Sequence, residues 1–142
     1  MKISFAGCGL LGPYQFAVAQ CLRENAPWLL EGVDELYGSS IGSVAAAVLA
    51  CEVSFMNEVN CVLVELAAKA RASPLGVLSS KFDAAAILRR FVDRLLPRDA
   101  HKRVRGRLRI SVTEVPCLQN RILADFNTRN ELITVRLRTF LC

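Results

Sequence analysis

"YGSSIGSVAA", residues 37–46, sets Ser40 between Gly38 and Gly42 and then runs straight into an alanine-rich stretch. The residues before it, "VDELYG" (33–38), read as a strand ending at Gly38. Those after it, "IGSVAAAVLACE" (41–52), have the small, helix-favouring composition of a helix that packs close to a sheet. A G-x-S-x-G segment between a strand and a helix is the arrangement of a nucleophile elbow, and each part has a mechanical reason. The sharp turn holds Ser40 in a strained conformation above the sheet edge, and Gly38 and Gly42 let neighbouring backbone pass. The helix that follows offers unpaired N–H groups and a partial positive charge to an oxyanion. The competing reading is an ordinary loop with a serine N-cap.

The same strand, turn and helix order occurs earlier. "KISFAG" (2–7) reads as a short buried strand, and Pro13 suits the first turn of a helix over 13–25. Between them "GCGLLG" (7–12) matches G-x-G-x-x-G, which serves as a dinucleotide fingerprint, a phosphate cradle or an oxyanion loop. A dinucleotide site wants an acidic residue at the far end of the second strand, whereas Asp34 and Glu35 stand at its near end. The glycine loop is thereby left to serve Ser40, since glycine backbone points N–H groups without side-chain obstruction.

Further along, Phe55, Met56, Val59, Val62, Leu63, Leu66, Ala67 and Ala70 predict an amphipathic helix over 54–72, ended by "SPLG" (73–76). Asp83 can cap a helix with Ala84, Ile87, Leu88, Phe91, Val92 and Leu95 on one face and Arg89, Arg90 and Arg94 on the other. "RLRISVTEV" (107–115) and "RILADF" (121–126) are strand-like, joined at Pro116-Cys117 by a hairpin or a crossover corner. The final "ELITVRLRTFLC" alternates Ile133, Val135 and Leu137 with Thr134, Arg136 and Arg138, as a half-exposed strand would. Strands alternating with helices over 142 residues, 53% of them hydrophobic, predict one α/β domain, 1–142, with no repeats.

Composition narrows the function classes. Residues 1–80 carry four Lys/Arg against seven Asp/Glu, and residues 81–142 carry fourteen against six. The basic run Arg98–Arg109 reads as a solvated loop or as an attraction to anionic lipid. No aromatic residue lies between its charges to stack on bases, so no nucleic-acid partner is expected. The cysteines at 8, 21, 51, 61, 117 and 142 form no C-x-x-C pair, and buried reduced thiols without a metal are the simplest reading. Lys2, the apolar run and "AVA" (17–19) imitate a signal peptide, but three glycines and Pro13 interrupt the run. No apolar stretch reaches the ~18 residues of a spanning helix, so any membrane contact is expected to be peripheral.

"SFAGCGLLGPYQFAVAQCLRENAP", "LYGSSIGSVAA", "GRLRISVTEV" and "NRILADFNTRNELI" together resemble the patatin-like phospholipase family, and within it the animal subgroup of adipose triglyceride lipase and adiponutrin. The resemblance covers about residues 3–133, with "FAGCG" and "FNTRNELI" more specific than either glycine motif. It implies a three-layer α/β/α sandwich with a mainly parallel central sheet. It also implies hydrolysis of acyl esters, triacylglycerol above all, by a serine-aspartate dyad without cofactor. By it Ser40 is the nucleophile, Gly7, Gly9, Leu10 and Gly12 belong to the oxyanion loop, and Gly38 and Gly42 flank the elbow. The implied setting is cytoplasmic, at a lipid-droplet or membrane surface, with a protein co-activator as a further partner.

Two departures stand out. The family's dyad aspartate lies in a D-G-G or D-G-A motif, and no aspartate here (34, 83, 93, 99, 125) is followed by glycine. The expectation is therefore an incomplete domain, truncated at its C-terminal side by splicing or by an incomplete gene model. On that reading the alternative function is a catalytically inactive lipid-surface or partner-binding module. Asp125 reads as a surface residue, and His101, inside a cationic stretch, as a solvated one rather than a base. Ile41 is the second departure: the resemblance implies a position that is usually small in the family, where a β-branched side chain is expected to crowd the acyl site.

Overall fold

The computed structural model describes residues 1–71, 84–114, 117 and 119–138. Four strands, β1 (Lys2–Phe5), β2 (Glu35–Ser39), β3 (Leu108–Glu114) and β4 (Gln119–Leu123), form one sheet in that order. β1, β2 and β3 run parallel, with Phe5 opposite Gly38 and Gly38 opposite Ile110, while β4 returns antiparallel to β3. Of the two connections open in the sequence at Pro116-Cys117, the hairpin is the one formed.

Helices α1 (Gly12–Asn25), α2 (Pro27–Glu31), α3 (Ile41–Cys51), α4 (Met56–Arg71), α5 (Ala84–Leu95), α6 (Ala100–Arg103) and α7 (Arg129–Arg138) accompany the sheet. The α/β class and mainly parallel sheet are those expected for the N-terminal part of a patatin-like domain. α3 lies directly on β1, β2 and β3, and every one of its residues is buried. Its small side chains explain this, since Ala45, Ala46, Ala47 and Ala50 let the helix axis approach the sheet closely. α1 packs on α3 and on α4, with the Phe16 ring tilted against Phe55 at 5.9 Å and edge-on to Phe91 at 5.7 Å.

Side chains alternate across the strands. Phe5, Leu36, Leu108 and Ile110 are buried with α3, while Lys2, Glu35, Tyr37 and Arg109 occupy the other register positions. There Glu35 accepts hydrogen bonds from Lys2 Nζ (2.7 Å), the Tyr37 hydroxyl (2.9 Å) and Arg109 Nε (3.1 Å). Those donors, Lys2 first, hold its carboxyl at about 2, well below the ordinary range.

Three sequence expectations are corrected. The final segment is helical through Arg138, not a strand. Its "T-x-x-E" signal, Thr128 to Glu131, outweighs the alternation: the Glu131 N–H donates to Thr128 Oγ1 (3.0 Å) and the Asn127 N–H donates to Glu131 Oε2 (2.8 Å). Leu132 and Ile133 are then buried, and Arg129 donates to Asp93 Oδ1 (2.7 Å) and the Leu96 carbonyl (3.1 Å), tying α7 to the end of α5.

The basic run Arg98–Arg109 is not a plain solvated loop. It contains α6 and supplies Ala100, Val104 and Leu108 to the core, while Arg103 Nη1 donates to the Cys51 carbonyl at the end of α3 (3.2 Å). His101 accordingly sits half-buried on α6, its Nδ1 buried without a partner among the described residues. Third, of the five described cysteines only Cys51 is buried. Cys8 is half-buried, and Cys21, Cys61 and Cys117 are exposed, because they fall on outward positions of α1, α4 and the hairpin turn. The "SPLG" stop, Asp83 and residues 139–142 lie outside the described residues.

Candidate active site

The sheet's carboxyl edge brings the two glycine motifs together. β2 ends at Ser39 and α3 starts at Ile41, so Ser40 alone makes the turn, at φ 49° and ψ −132°. A side chain is strained there, at a typical cost of about 1–3 kcal/mol that persists only when the surroundings impose it. Three close approaches do so. A Cβ on Gly38 would fall 2.4 Å from Ser43 Cα and 2.7 Å from the Gly42 carbonyl oxygen. One on Gly42 would fall 2.4 Å from the Phe5 carbonyl oxygen and 2.5 Å from that of Ala6. One on Gly7 would lie 3.2 Å from Ser40 Cβ. Thus strand β1, its glycine loop and the start of α3 meet at backbone contact around Ser40.

Ser40 occupies the N-cap position of α3, but its side chain makes no capping hydrogen bond. The ordinary N-cap reading of this serine therefore does not apply. Ser43 secures the turn instead: its hydroxyl (2.6 Å) and its N–H (2.9 Å) both donate to the Ser40 carbonyl. Among the described residues Ser43 is the buried polar residue of this core, and the sequence reading passed over it although it stands one helical turn after Ser40. Ser40 itself is half-buried, and the positive end of an eleven-residue buried helix begins beside it.

The glycine loop leaves β1 at Ala6 and closes through a 3₁₀ turn, Gly9–Leu11, before α1 begins. Gly9 has φ +52°, with open space where a Cβ would stand. Leu10 lies within this turn, and its side chain is outside what the structure describes. The Leu11 N–H donates to the Cys8 carbonyl (3.0 Å), and Gln15 Nε2 donates to the Ala6 carbonyl (2.8 Å). Burial pushes the Cys8 thiol above its ordinary value, so it remains protonated and a weak nucleophile at neutral pH.

Gly12 closes the arrangement against the other motif. A Cβ there would stand 2.6 Å from Ile41 Cγ1, so the buried Ile41 side chain packs into the end of the glycine loop. The β-branched residue flagged in the sequence thus has a structural partner. Leu11 and Tyr14, at the mouth of α1, are 70% and 74% exposed, an apolar rim next to this corner. Asp125 is exposed in the loop after β4.

A cleft of about 670 Å³ opens elsewhere, lined by Arg23, Leu30, Val33, Asp34, Glu52 and Arg107 among others. The cleft lies toward the amino end of β2 and β3, away from Ser40, and its lining includes no residue of the two glycine motifs. Among the described residues there is no metal-ligating cluster, and no helix is long and apolar enough to cross a membrane.

The sequence profile described as patatin-like phospholipase matches residues 3–140. Patatin-like phospholipase domain-containing protein 2 of Homo sapiens is 42% identical over 132 residues, which cover 93% of this chain and 26% of that protein. The human protein named 1-acylglycerol-3-phosphate O-acyltransferase PNPLA3 is 32% identical over 132 residues, 93% of this chain and 27% of its own. Human patatin-like phospholipase domain-containing protein 4 is 31% identical over 137 residues, covering 96% of this chain and 54% of that one. The chain therefore spans about a quarter of the length of the first of these relatives. No solved structure matches it. Since the profile runs from the first strand through the glycine loop, the serine turn and the hairpin into α7, the chain belongs to the patatin-like phospholipase family.

Proposed function

We propose that this chain carries the nucleophile and oxyanion loop of a serine acyl-ester hydrolase acting on acyl lipids, triacylglycerol foremost, at a lipid-droplet or membrane surface. The observation that carries the reading is the conformation of Ser40: a strained serine at a strand-to-helix turn, held against a glycine loop. In the proposed reaction Ser40 Oγ attacks the ester carbonyl carbon, its proton passes to a base, and the carbonyl oxygen becomes an oxyanion. The glycine loop (Gly7, Gly9, Leu10, Gly12) and the first turn of α3 supply N–H groups to that oxygen, each such donor being worth about 10²–10³ in rate in hydrolases of this design. Collapse expels the alcohol, and water then releases the fatty acid from the acyl-serine.

By family resemblance the base is an aspartate of a D-G-G or D-G-A segment, which these 142 residues do not contain. No cofactor or metal enters the scheme. The exposed Leu11 and Tyr14 beside the turn support an apolar substrate surface, and a protein co-activator is a further partner by resemblance. The test is hydrolysis of a soluble short-chain ester and of emulsified triacylglycerol by a form of the protein that includes the D-G-G or D-G-A segment and by its Ser40→Ala variant. Activity above background that the substitution abolishes supports the proposal, and equal rates for both proteins overturn it.

The basic second half favours a second reading, a non-catalytic lipid-surface or partner-binding module. Exposed Arg98, Lys102 and Arg105 support it through attraction to anionic lipid. It predicts binding to anionic vesicles that falls as salt rises. Equal binding to neutral and anionic vesicles refutes its electrostatic part.

A further inference from the structure

We propose that Gln15 is a positioning residue that fixes the glycine loop against the Ser40 turn. The inference rests on the acyl-hydrolase reading for its consequence, but its geometry stands apart from it. Gln15 lies in the first turn of α1 and reaches back across the loop, donating from Nε2 to the Ala6 carbonyl at 2.8 Å. That carbonyl oxygen is the one a Cβ on Gly42 would approach to 2.5 Å. Ala6 is therefore clamped between the side chain of α1 and the first turn of α3, at the residue where the chain leaves β1 to form the loop. The next residue, Gly7, is the one whose Cβ would meet Ser40 Cβ at 3.2 Å. The Gln15 bond thus closes the loop at its Ala6 end, as the bond from the Leu11 N–H to the Cys8 carbonyl closes it further along.

Packing alone does not account for glutamine here. Its Oε1 is buried and has no hydrogen-bond partner among the described residues. A buried acceptor left unpaired is a cost that a hydrocarbon side chain of the same length avoids. What glutamine supplies in exchange is the donor to Ala6. Without it the loop keeps its 3₁₀ turn but loses the tie that sets its distance from Ser40, and oxyanion donors displaced by a fraction of an ångström lose much of their effect.

The experiment compares the 142-residue chain with Gln15→Met, near in size with no donor, and Gln15→Glu, which has no donor while ionised. Hydrogen exchange of the loop amides is followed by mass spectrometry, together with the rate at which a fluorophosphonate labels Ser40. In Gln15→Met, exchange over residues 7–11 is expected to rise and the saturating labelling rate to fall, each about three- to tenfold, the ordinary worth of one neutral hydrogen bond. The probe concentration giving half-saturation, and exchange in β2 and α3, are expected to stay unchanged. Gln15→Glu is expected to behave like Gln15→Met at neutral pH and to recover as the carboxyl becomes protonated, a response that a loss of packing does not produce. Loop exchange and labelling equal to wild type overturn the proposal, as does faster exchange spread equally over β2 and α3. If the wild-type chain is not labelled at Ser40, the hydrolase reading fails, and loop exchange alone decides the role of Gln15: faster exchange confined to the loop supports it and unchanged exchange refutes it.

Discussion

Replacing Ser40 by glycine and by alanine separates the strain at the turn from its chemistry. Both substitutions remove the hydroxyl, which makes no capping bond that would be lost. Alanine keeps a Cβ at φ 49° and ψ −132°, whereas glycine adopts that conformation freely. Strain of this kind costs about 1–3 kcal/mol. Glycine's greater freedom in the unfolded chain returns about 0.5–1 kcal/mol. The expected net effect is that Ser40→Gly is more stable than Ser40→Ala by about 1.5 kcal/mol, the difference of those two terms. For a chain of this length that is a rise of about 5 °C in the melting midpoint. Urea unfolding followed by circular dichroism measures the difference directly, and equal m-values establish that the same transition is compared. Ser40→Ala as stable as Ser40→Gly, or more so, would mean that the turn is not strained, and the argument that the fold spends stability to present this serine would be refuted.

Three further outcomes are expected. Gly42→Ala forces a Cβ onto the Phe5 and Ala6 carbonyl oxygens, backbone atoms that cannot turn away, and costs about 3 kcal/mol; Gly12→Ala meets only the Ile41 side chain and costs less, by about 1 kcal/mol less again in an Ile41→Ala background, as a double-mutant cycle in urea would measure. Glu35 has its carboxyl lowered from 4.5 to about 2, so its contribution to stability is complete above about pH 4.5 and is lost as pH falls toward 2; Glu35→Gln is expected to flatten that part of the acid limb, and an unchanged slope would show that the network with Lys2, Tyr37 and Arg109 does not persist in solution. Thr128→Ala removes the cap of α7 and is expected to destabilise by about 1 kcal/mol, with faster exchange confined to the α7 amides.

The sequence was most legible where local rules and packing agree. Gly38, Ser40 and Gly42 announced a strand-to-helix turn, and the alanines after them announced the buried helix, because each of those residues answers a steric demand made within a few positions. The spacing of Phe55, Val59 and Val62, and of Ile87, Phe91 and Leu95, likewise carried over into buried faces. The last segment misled because Ile133, Val135 and Leu137 alternate as in a strand, while the cap formed by Thr128 and Glu131 and the tie from Arg129 to the end of α5 decide for a helix. The basic run misled in the opposite way: Ala100, Val104 and Leu108 are spaced four apart through the charges and reach the core. Within the candidate site, Ser43 had a legible position one turn after Ser40. Gln15 had no local signal, since its partner Ala6 is nine residues away across a loop whose path the composition does not specify.

The most direct test of the account is to incubate the 142-residue chain with a fluorophosphonate probe, with Ser40→Ala alongside, and to count and locate the label by intact and peptide mass. The elbow and glycine loop hold the Ser40 hydroxyl beside the oxyanion donors, and in hydrolases stripped of a triad member the oxyanion hole and binding alone keep about 10³–10⁴ over water. The account predicts one label per wild-type chain, on Ser40, and none on Ser40→Ala. Label that persists in Ser40→Ala, or folded wild-type protein that takes up none, would contradict it.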